Sequence, residues 1–244
     1  MSHHTISLAG VQYHYPDHTP ALQDVSFHIT HGESVALIGG NGAGKSTLLS
    51  LLVGIVFPTA GTVNIGGVDL THKTAAQLRQ RVGLVFQNPD DQLFMPTVLD
   101  DVAFGPLNQG LSPAQAKERA IDALTTVGAA HLSQRSSLRL STGEKRAAAI
   151  AAVLAMTPDI LLMDEPTAGL DPWSRRQLIG LLGHFAHTKI IATHDLDFAL
   201  DVCQRTLVLR DGGVVADGPS AILLRDRELL ASCRLELPLR WQAG

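Results

Sequence analysis

The chain has 244 residues, a formal net charge of −4 and a pI near 6.2. Hydrophobic residues at 45% and charged residues at 17% fit a folded α/β protein and exclude a disordered one. With an acidic balance and only 5% aromatic residues, it offers neither a basic field nor a base-stacking platform, so nucleic acid is not the expected partner.

Met1–Thr5 lacks the charged and apolar regions of a secretory signal. The longest apolar run, Ala147–Met156, falls short of the roughly 20 residues a bilayer requires. Any membrane role is therefore expected to be borrowed from partner subunits. Cys203 and Cys233 match no metal or redox spacing, which suits a reduced, cytosolic setting.

Ile6–Tyr15 and Val25–Ile29 alternate apolar and polar residues and read as antiparallel strands. Ser34–Ile38 reads as a short buried strand that enters a glycine cluster, and Thr47–Val53 as the helix beyond it. Val82–Phe86, Ile160–Met163, Lys189–Thr193 and Thr206–Arg210 are compact apolar runs suited to a parallel sheet. Between Asn88 and Met156 the texture turns helical. Ser112-Pro113 opens one helix over Ala114–Val127, and a second starts near Ser141 and continues through Ala147–Ala155. The expected fold is α/β: a phosphate-loop NTPase core with a mainly parallel sheet, an N-terminal antiparallel β subdomain and an inserted helical subdomain. The expected division is 1–87 with 158–220 as the catalytic core, 88–157 as the helical subdomain and 221–244 as a short tail.

Gly39-Gly40-Asn41-Gly42-Ala43-Gly44-Lys45-Ser46 fits G-x-x-x-x-G-K-[ST] in full. Its glycines let backbone N–H groups converge on a β-phosphate, and the following helix points its positive end at the same anion. Lys45 is the expected partner of β/γ charge, Ser46 supplies a hydroxyl to Mg²⁺, and Thr47 bonds a neighbouring phosphate. Ile160–Met163 is closed by two carboxylates. Asp164 is placed to hold a Mg²⁺-bound water, and Glu165 to orient or deprotonate the attacking water. These two motifs alone leave kinases, GTPases, helicases and transporters open.

Leu140-Ser141-Thr142-Gly143-Glu144, ahead of the carboxylate pair at a helix start, resembles the L-S-G-G-Q pentapeptide of the ATP-binding cassette family. The resemblance runs from about Tyr13 to Gly218. It implies an ATP hydrolase in which Ser141 and Gly143 face the γ-phosphate bound by a second copy or a paralogue, in a head-to-tail dimer. It also implies that Gln87 links nucleotide state to a membrane partner and contacts Mg²⁺, that Thr167–Asp171 forms the D-loop, that His194 touches the γ-phosphate, and that Tyr15 lies against adenine. Thr142 and Glu144 depart from the pentapeptide, and Glu144 is expected to point outward, because a carboxylate turned inward would repel the phosphate.

Gln87–Phe94 with Asp100–Pro106 looks like the ATPase subunit of energy-coupling-factor importers, cobalt or nickel branch. The implied partners are a transmembrane coupling subunit and a substrate-binding membrane subunit, with this chain peripheral on the cytoplasmic face. Asp90, Asp91, Asp100 and Asp101 are candidates for pairing with arginines of that coupling subunit. A vitamin importer of the same group and a soluble cassette ATPase of translation or DNA repair are the alternatives. The latter commonly carries two cassettes or a coiled-coil insertion, and neither is present here. His14, His18, His28 and His31 show no ligand spacing and are expected at the surface, whereas His3 or His4 could form an amino-terminal Ni²⁺ or Cu²⁺ chelate. The segment Leu235–Leu239 also resembles the end of these subunits, and a dimer resting mainly on the nucleotide sandwich and the membrane partner is expected.

Overall fold

The computed structural model describes residues 5–242, so His3 and His4 lie outside the described residues. In chain order the strands are β1 (Ile6–His14), β2 (Pro20–Ile29), β3 (Ser34–Ile38), β4 (Ala60–Ile65), β5 (Val68–Asp69), β6 (Val82–Val85), β7 (Ile160–Asp164), β8 (Thr188–Ala192), β9 (Arg205–Arg210) and β10 (Gly213–Pro219). The helices are α1 (Lys45–Leu52), α2 (Ala75–Leu78), α3 (Val98–Asn108), α4 (Pro113–Thr126), α5 (Thr142–Leu154), α6 (Pro172–His184), α7 (Leu196–Val202), α8 (Ser220–Leu223) and α9 (Arg227–Ser232).

Two sheets form. One is antiparallel, in the order β2-β1-β4-β5. The other has the order β10-β9-β3-β8-β7-β6, with every neighbour parallel except β9 and β10. The parallel strands read as unbroken apolar runs because both of their faces are buried. Val35 and Leu37 of β3 enter a core shared with α1 and the antiparallel sheet. Ala36 and Ile38 enter a second core with α6 and α7. Each such leucine or isoleucine contributes roughly 1.5–3 kcal/mol. The hairpin β4–β5, which turns on Gly66-Gly67, and the helix α6, which opens on Asp171-Pro172, are further elements with local signals in the chain.

Helices α3, α4 and α5 lie between β6 and β7 and bury a third core of Val98, Val102, Ala120, Leu124, Ala148 and Ala151. Ser112 caps α4 with a capping box closed by Gln115, and Pro113 opens the helix. The segment after β10 is more structured than a plain tail. It forms α8, α9 and a turn at Leu239–Trp241, where Arg240 bonds Asp197 and Asp201 on α7 at 2.6 and 2.8 Å. No helix among the described residues is long and apolar enough to cross a membrane.

Candidate nucleotide site

The parallel strands deliver their C-terminal ends to one edge of the sheet. Leu37 lies opposite Ala192, Ala192 opposite Asp164, and Val85 opposite Met163. The residues that follow each strand therefore collect along that edge: Gly39 onward after β3, His194 after β8, Glu165 after β7 and Gln87 after β6. Ligands of open parallel sheets bind at this kind of edge.

The glycine loop is shaped mainly by the protein itself. Gly44 is the N-cap of α1 at φ 101°, and a Cβ there would sit 2.7 Å from the Ala21 carbonyl, so only glycine fits. A Cβ on Gly42, at φ 79°, would meet nothing within 4 Å, which leaves the mouth of the loop open. Asn41 is exposed there, while Ala43 is buried and its carbonyl accepts from Gly212 N–H. Lys45 Nζ reaches back to the carbonyls of Gly39 and Gly40 at 2.7 and 3.2 Å. Burial pushes its ammonium below the usual lysine range, opposed by the charges of Glu165 and Asp164.

Asp164 is buried and its Oδ1 has no protein partner. Burial raises its carboxyl above the ordinary range, against a hydrogen bond from Ser46 that lowers it. A buried, half-satisfied carboxylate next to a serine hydroxyl is a donor set that fits a hard divalent cation such as Mg²⁺.

Glu165 follows in left-handed backbone at φ 44°, a conformation costly for a non-glycine residue and concentrated at functional sites. Its amide bonds the Ala192 carbonyl at 2.8 Å. Glu165 Oε2 accepts from Thr193 Oγ1 and from His194 N–H, both at 3.2 Å, and Oε1 lies 2.9 Å from His194 Nδ1. The carboxylate is buried, while the His194 ring is 71% exposed and free to meet a ligand. Thr47 Oγ1 bonds the Tyr15 hydroxyl at 2.7 Å, and the Tyr15 ring stands edge-on to Tyr13 at 5.2 Å. Tyr15 thus lies over the start of α1, at the edge of the loop.

Ser141 is exposed at the N-cap of α5. The expectation that Glu144 points outward needs correcting. Its Oε2 turns back onto Ser141 and accepts from the backbone N–H at 2.8 Å and from the hydroxyl at 2.9 Å. This closes a capping box, with Glu144 N–H bonding Ser141 Oγ at 3.3 Å. Gly143 follows on the same turn, facing Leu170 and Ser174, and the Thr142 methyl packs on Gly169. The pentapeptide therefore contacts the Thr167–Asp171 loop within one chain. Asp171 in turn caps α6, accepting from the amides of Trp173 and Ser174.

Three members of the acidic cluster have partners within the chain. Asp90 pairs with Lys145 at 2.6 Å. Asp100 accepts from Thr97 Oγ1 at 2.6 Å at the start of α3, and Asp101 is buried, accepting from the amides of Phe94 and Met95. Asp90, Asp91 and Asp100 stay exposed, and beside them Phe94 (65% exposed) stands edge-on to Phe104 at 5.1 Å.

Sequence reasoning missed Arg146. It is 2% exposed and donates to the carbonyls of Phe86 (2.8 Å) and Gln87 (2.6 Å), joining α5 to the backbone that carries Gln87. Burial lowers its proton affinity, while Asp164 and Glu165 oppose that shift. Gln92 adds a second tie, bonding the Ala149 carbonyl at 2.7 Å. An arginine in the second turn of an alanine-rich helix was the signal available. His14, His18, His28 and His31 are exposed, and His28 bonds Ser7 at 2.6 Å.

Residues 22–168 match the family described as ABC transporter. The chain belongs to the ABC transporter family. It is 57% identical over 242 residues to an ABC transporter ATP-binding protein of Geobacter sulfurreducens, covering 99% of this chain and 97% of that one. It is 45% identical to the energy-coupling factor transporter ATP-binding protein EcfA of Methanothermobacter thermautotrophicus, covering 96% and 76% of the two chains. Among solved structures it superposes on CbiO1 of Clostridium perfringens, part of the ABC transporter complex CbiONQ, with a TM-score of 0.82, 36% identity and 94% coverage of each chain. It also superposes on a dimeric ATP-binding cassette bound to ADP and phosphate, with a TM-score of 0.80, 28% identity, and coverage of 88% and 98%. As an ABC ATPase it binds and hydrolyses ATP, and its fold is that of an ABC nucleotide-binding domain.

Proposed function

We propose that this ABC ATPase powers import of a transition-metal ion, nickel or cobalt, through partner membrane subunits, working as a head-to-tail dimer at the cytoplasmic face of the membrane. The observation that carries the dimer is the exposed start of α5 at Ser141, reachable by a second molecule, in a chain that also holds a complete loop at Gly39–Ser46. The likeness to a cassette that is dimeric with ADP and phosphate bound supports a dimer. The likeness to CbiO1 of a CbiONQ complex supports the metal branch, and the EcfA relative keeps a vitamin cargo as the second reading.

In this reading ATP lies against Tyr15, with Gly39, Gly40, Asn41, Gly42, Ala43 and Gly44 around its phosphates. Lys45 leaves the Gly39 and Gly40 carbonyls for the β- and γ-phosphates, and Thr47 exchanges Tyr15 for a phosphate oxygen. Mg²⁺, when bound, would neutralise charge on the β- and γ-phosphates, and Ser46, Asp164 and Gln87 would hold it. Glu165, fixed by Thr193 and His194, takes a proton from the attacking water, while the His194 ring braces the γ-phosphate. Ser141 and Gly143 of the second protomer close the site. Residues 88–157 act as the moving helical part, joined to Gln87 through Arg146, and the Phe94–Phe104 face receives a cytosolic segment of the coupling subunit.

Glu165→Gln is expected to bind ATP yet accumulate as a closed dimer, with turnover lowered about a thousandfold. Unaltered turnover would overturn the assignment. Uptake of ⁶³Ni²⁺ or ⁵⁷Co²⁺ by vesicles carrying the chain with its membrane partners tests the cargo, and ATP-dependent vitamin uptake without metal uptake would select the second reading.

A further inference from the structure

The anion site at the start of α5 already holds an anion. Ser141 offers two donors, one N–H and one O–H, and both end on a single oxygen, Glu144 Oε2, at 2.8 and 2.9 Å. A phosphate oxygen arriving at a helix start would take these same donors. The second carboxylate oxygen lies 3.6 Å from Arg135 Nη1, and His131 also faces it.

We infer that Glu144 is a resident gate on the second anion site, and that the γ-phosphate carried by a partner protomer must displace its carboxylate from Ser141 before the sandwich closes. This rests on the dimer reading above and adds the residue that regulates it.

Charge and geometry together support displacement rather than coexistence. A carboxylate and a triphosphate cannot share one N–H and one O–H without like-charge repulsion. The displaced carboxylate has somewhere to go. A cavity of about 350 Å³ between α5 and α6 is lined by Glu144 together with His131, Arg146 and Trp173. Arg135, whose side chain is 58% exposed, can follow the carboxylate as it swings. Neither neighbour brings a second charge to the site, since Thr142 packs its methyl on Gly169 and Gly143 has no side chain. The hydrogen bonds from Ser141 also hold the Glu144 carboxyl below the usual range, so it stays ionised and competitive. The gate raises the protein concentration at which free protomers pair on ATP, and pairing is favoured further once membrane partners hold two protomers together.

Glutamine at this position would preserve the capping box, because its side-chain oxygen still accepts from Ser141, while removing the charge. This separates a gate from a plain helix cap. The test compares full-length Glu165→Gln with Glu165→Gln/Glu144→Gln by sedimentation velocity across an ATP titration, with ATP affinity of the dilute protomer measured separately by a fluorescent ATP analogue. The double variant is expected to dimerise at about tenfold lower protein concentration, the difference between a charged and a neutral hydrogen-bond competitor. Protomer affinity for ATP should stay the same. An unchanged or weaker dimer in the Glu144→Gln background would overturn the gate. Failure of both proteins to dimerise at saturating ATP would overturn the sandwich itself, and the gate with it.

Discussion

Helices α1 and α5 both present an N-terminus to a phosphate, but they reach that position with different parts. At α1 the cap is Gly44 in left-handed backbone, and no side chain bonds the first amides. At α5 the cap is Ser141, satisfied by a carboxylate three residues on. The backbone of the first start is braced by the carbonyls of Ala21 and Leu209 against Gly44 and Gly39, so its shape is fixed before ATP arrives and only the Lys45 and Thr47 side chains change partners. The second is built from side chains that can trade partners. A rigid site suits permanent recognition of a triphosphate, and a switchable one suits a contact that must open and close in each cycle.

The contrast can be broken most sharply at α1. Lys45→Ala should lower ATP affinity about a hundredfold by isothermal titration calorimetry, because a buried charge bonded to phosphates cannot be replaced by solvent. The Ser141 start should keep its fold, with far-UV circular dichroism unchanged. Next in size is the strut that holds α5. Arg146→Met leaves the Phe86 and Gln87 carbonyls without their donor and should cost about 2–3 kcal/mol in urea unfolding. Stability equal to the parent would show that the guanidinium is not structural.

The smallest effect on stability is expected at the end of β7. Asp164→Asn should abolish turnover yet stabilise the ligand-free chain by about 1 kcal/mol at neutral pH, since a buried ionised carboxylate is replaced by a neutral group. Burial raises the Asp164 pKa in the folded chain, so its charge costs stability above that pKa. The cost fades as pH falls through the folded value, and the advantage of asparagine should shrink with it. A gain that does not depend on pH, or a loss at neutral pH, would contradict this origin.

Much of this was legible in the chain. Ser34–Ile38 and the strand leading to Asp164 are continuous apolar runs, and both end in glycine or carboxylate residues whose chemistry is distinctive. Ser112-Pro113 announced α4 because capping is a local interaction. What stayed hidden depended on distance in sequence. Arg146 meets the Gln87 carbonyl across 59 positions, and Asp90 meets Lys145 across 55, so neither partner announces the other. Glu144 was visible as a departure from the pentapeptide. Its direction could not be read from charge alone, because repulsion from an absent phosphate competes with a nearby serine that offers two donors. Helix α6 was legible in the same way as α4, since Asp171-Pro172 opens it and Leu178 and Leu182 pack with Ile179 and Leu181 beside them.

The central claim is that each complete site takes its loop from one protomer and its Ser141 start from the other. Mixing Lys45→Ala protein with Ser141→Arg protein and measuring phosphate release tests it directly. In a closed two-fold dimer neither variant alone has an intact site, and random mixing should restore about a quarter of the sites. Activity that returns on mixing, in proportion to mixed dimer, is the predicted result. Full activity in Ser141→Arg alone, or none in the mixture, would contradict the shared site.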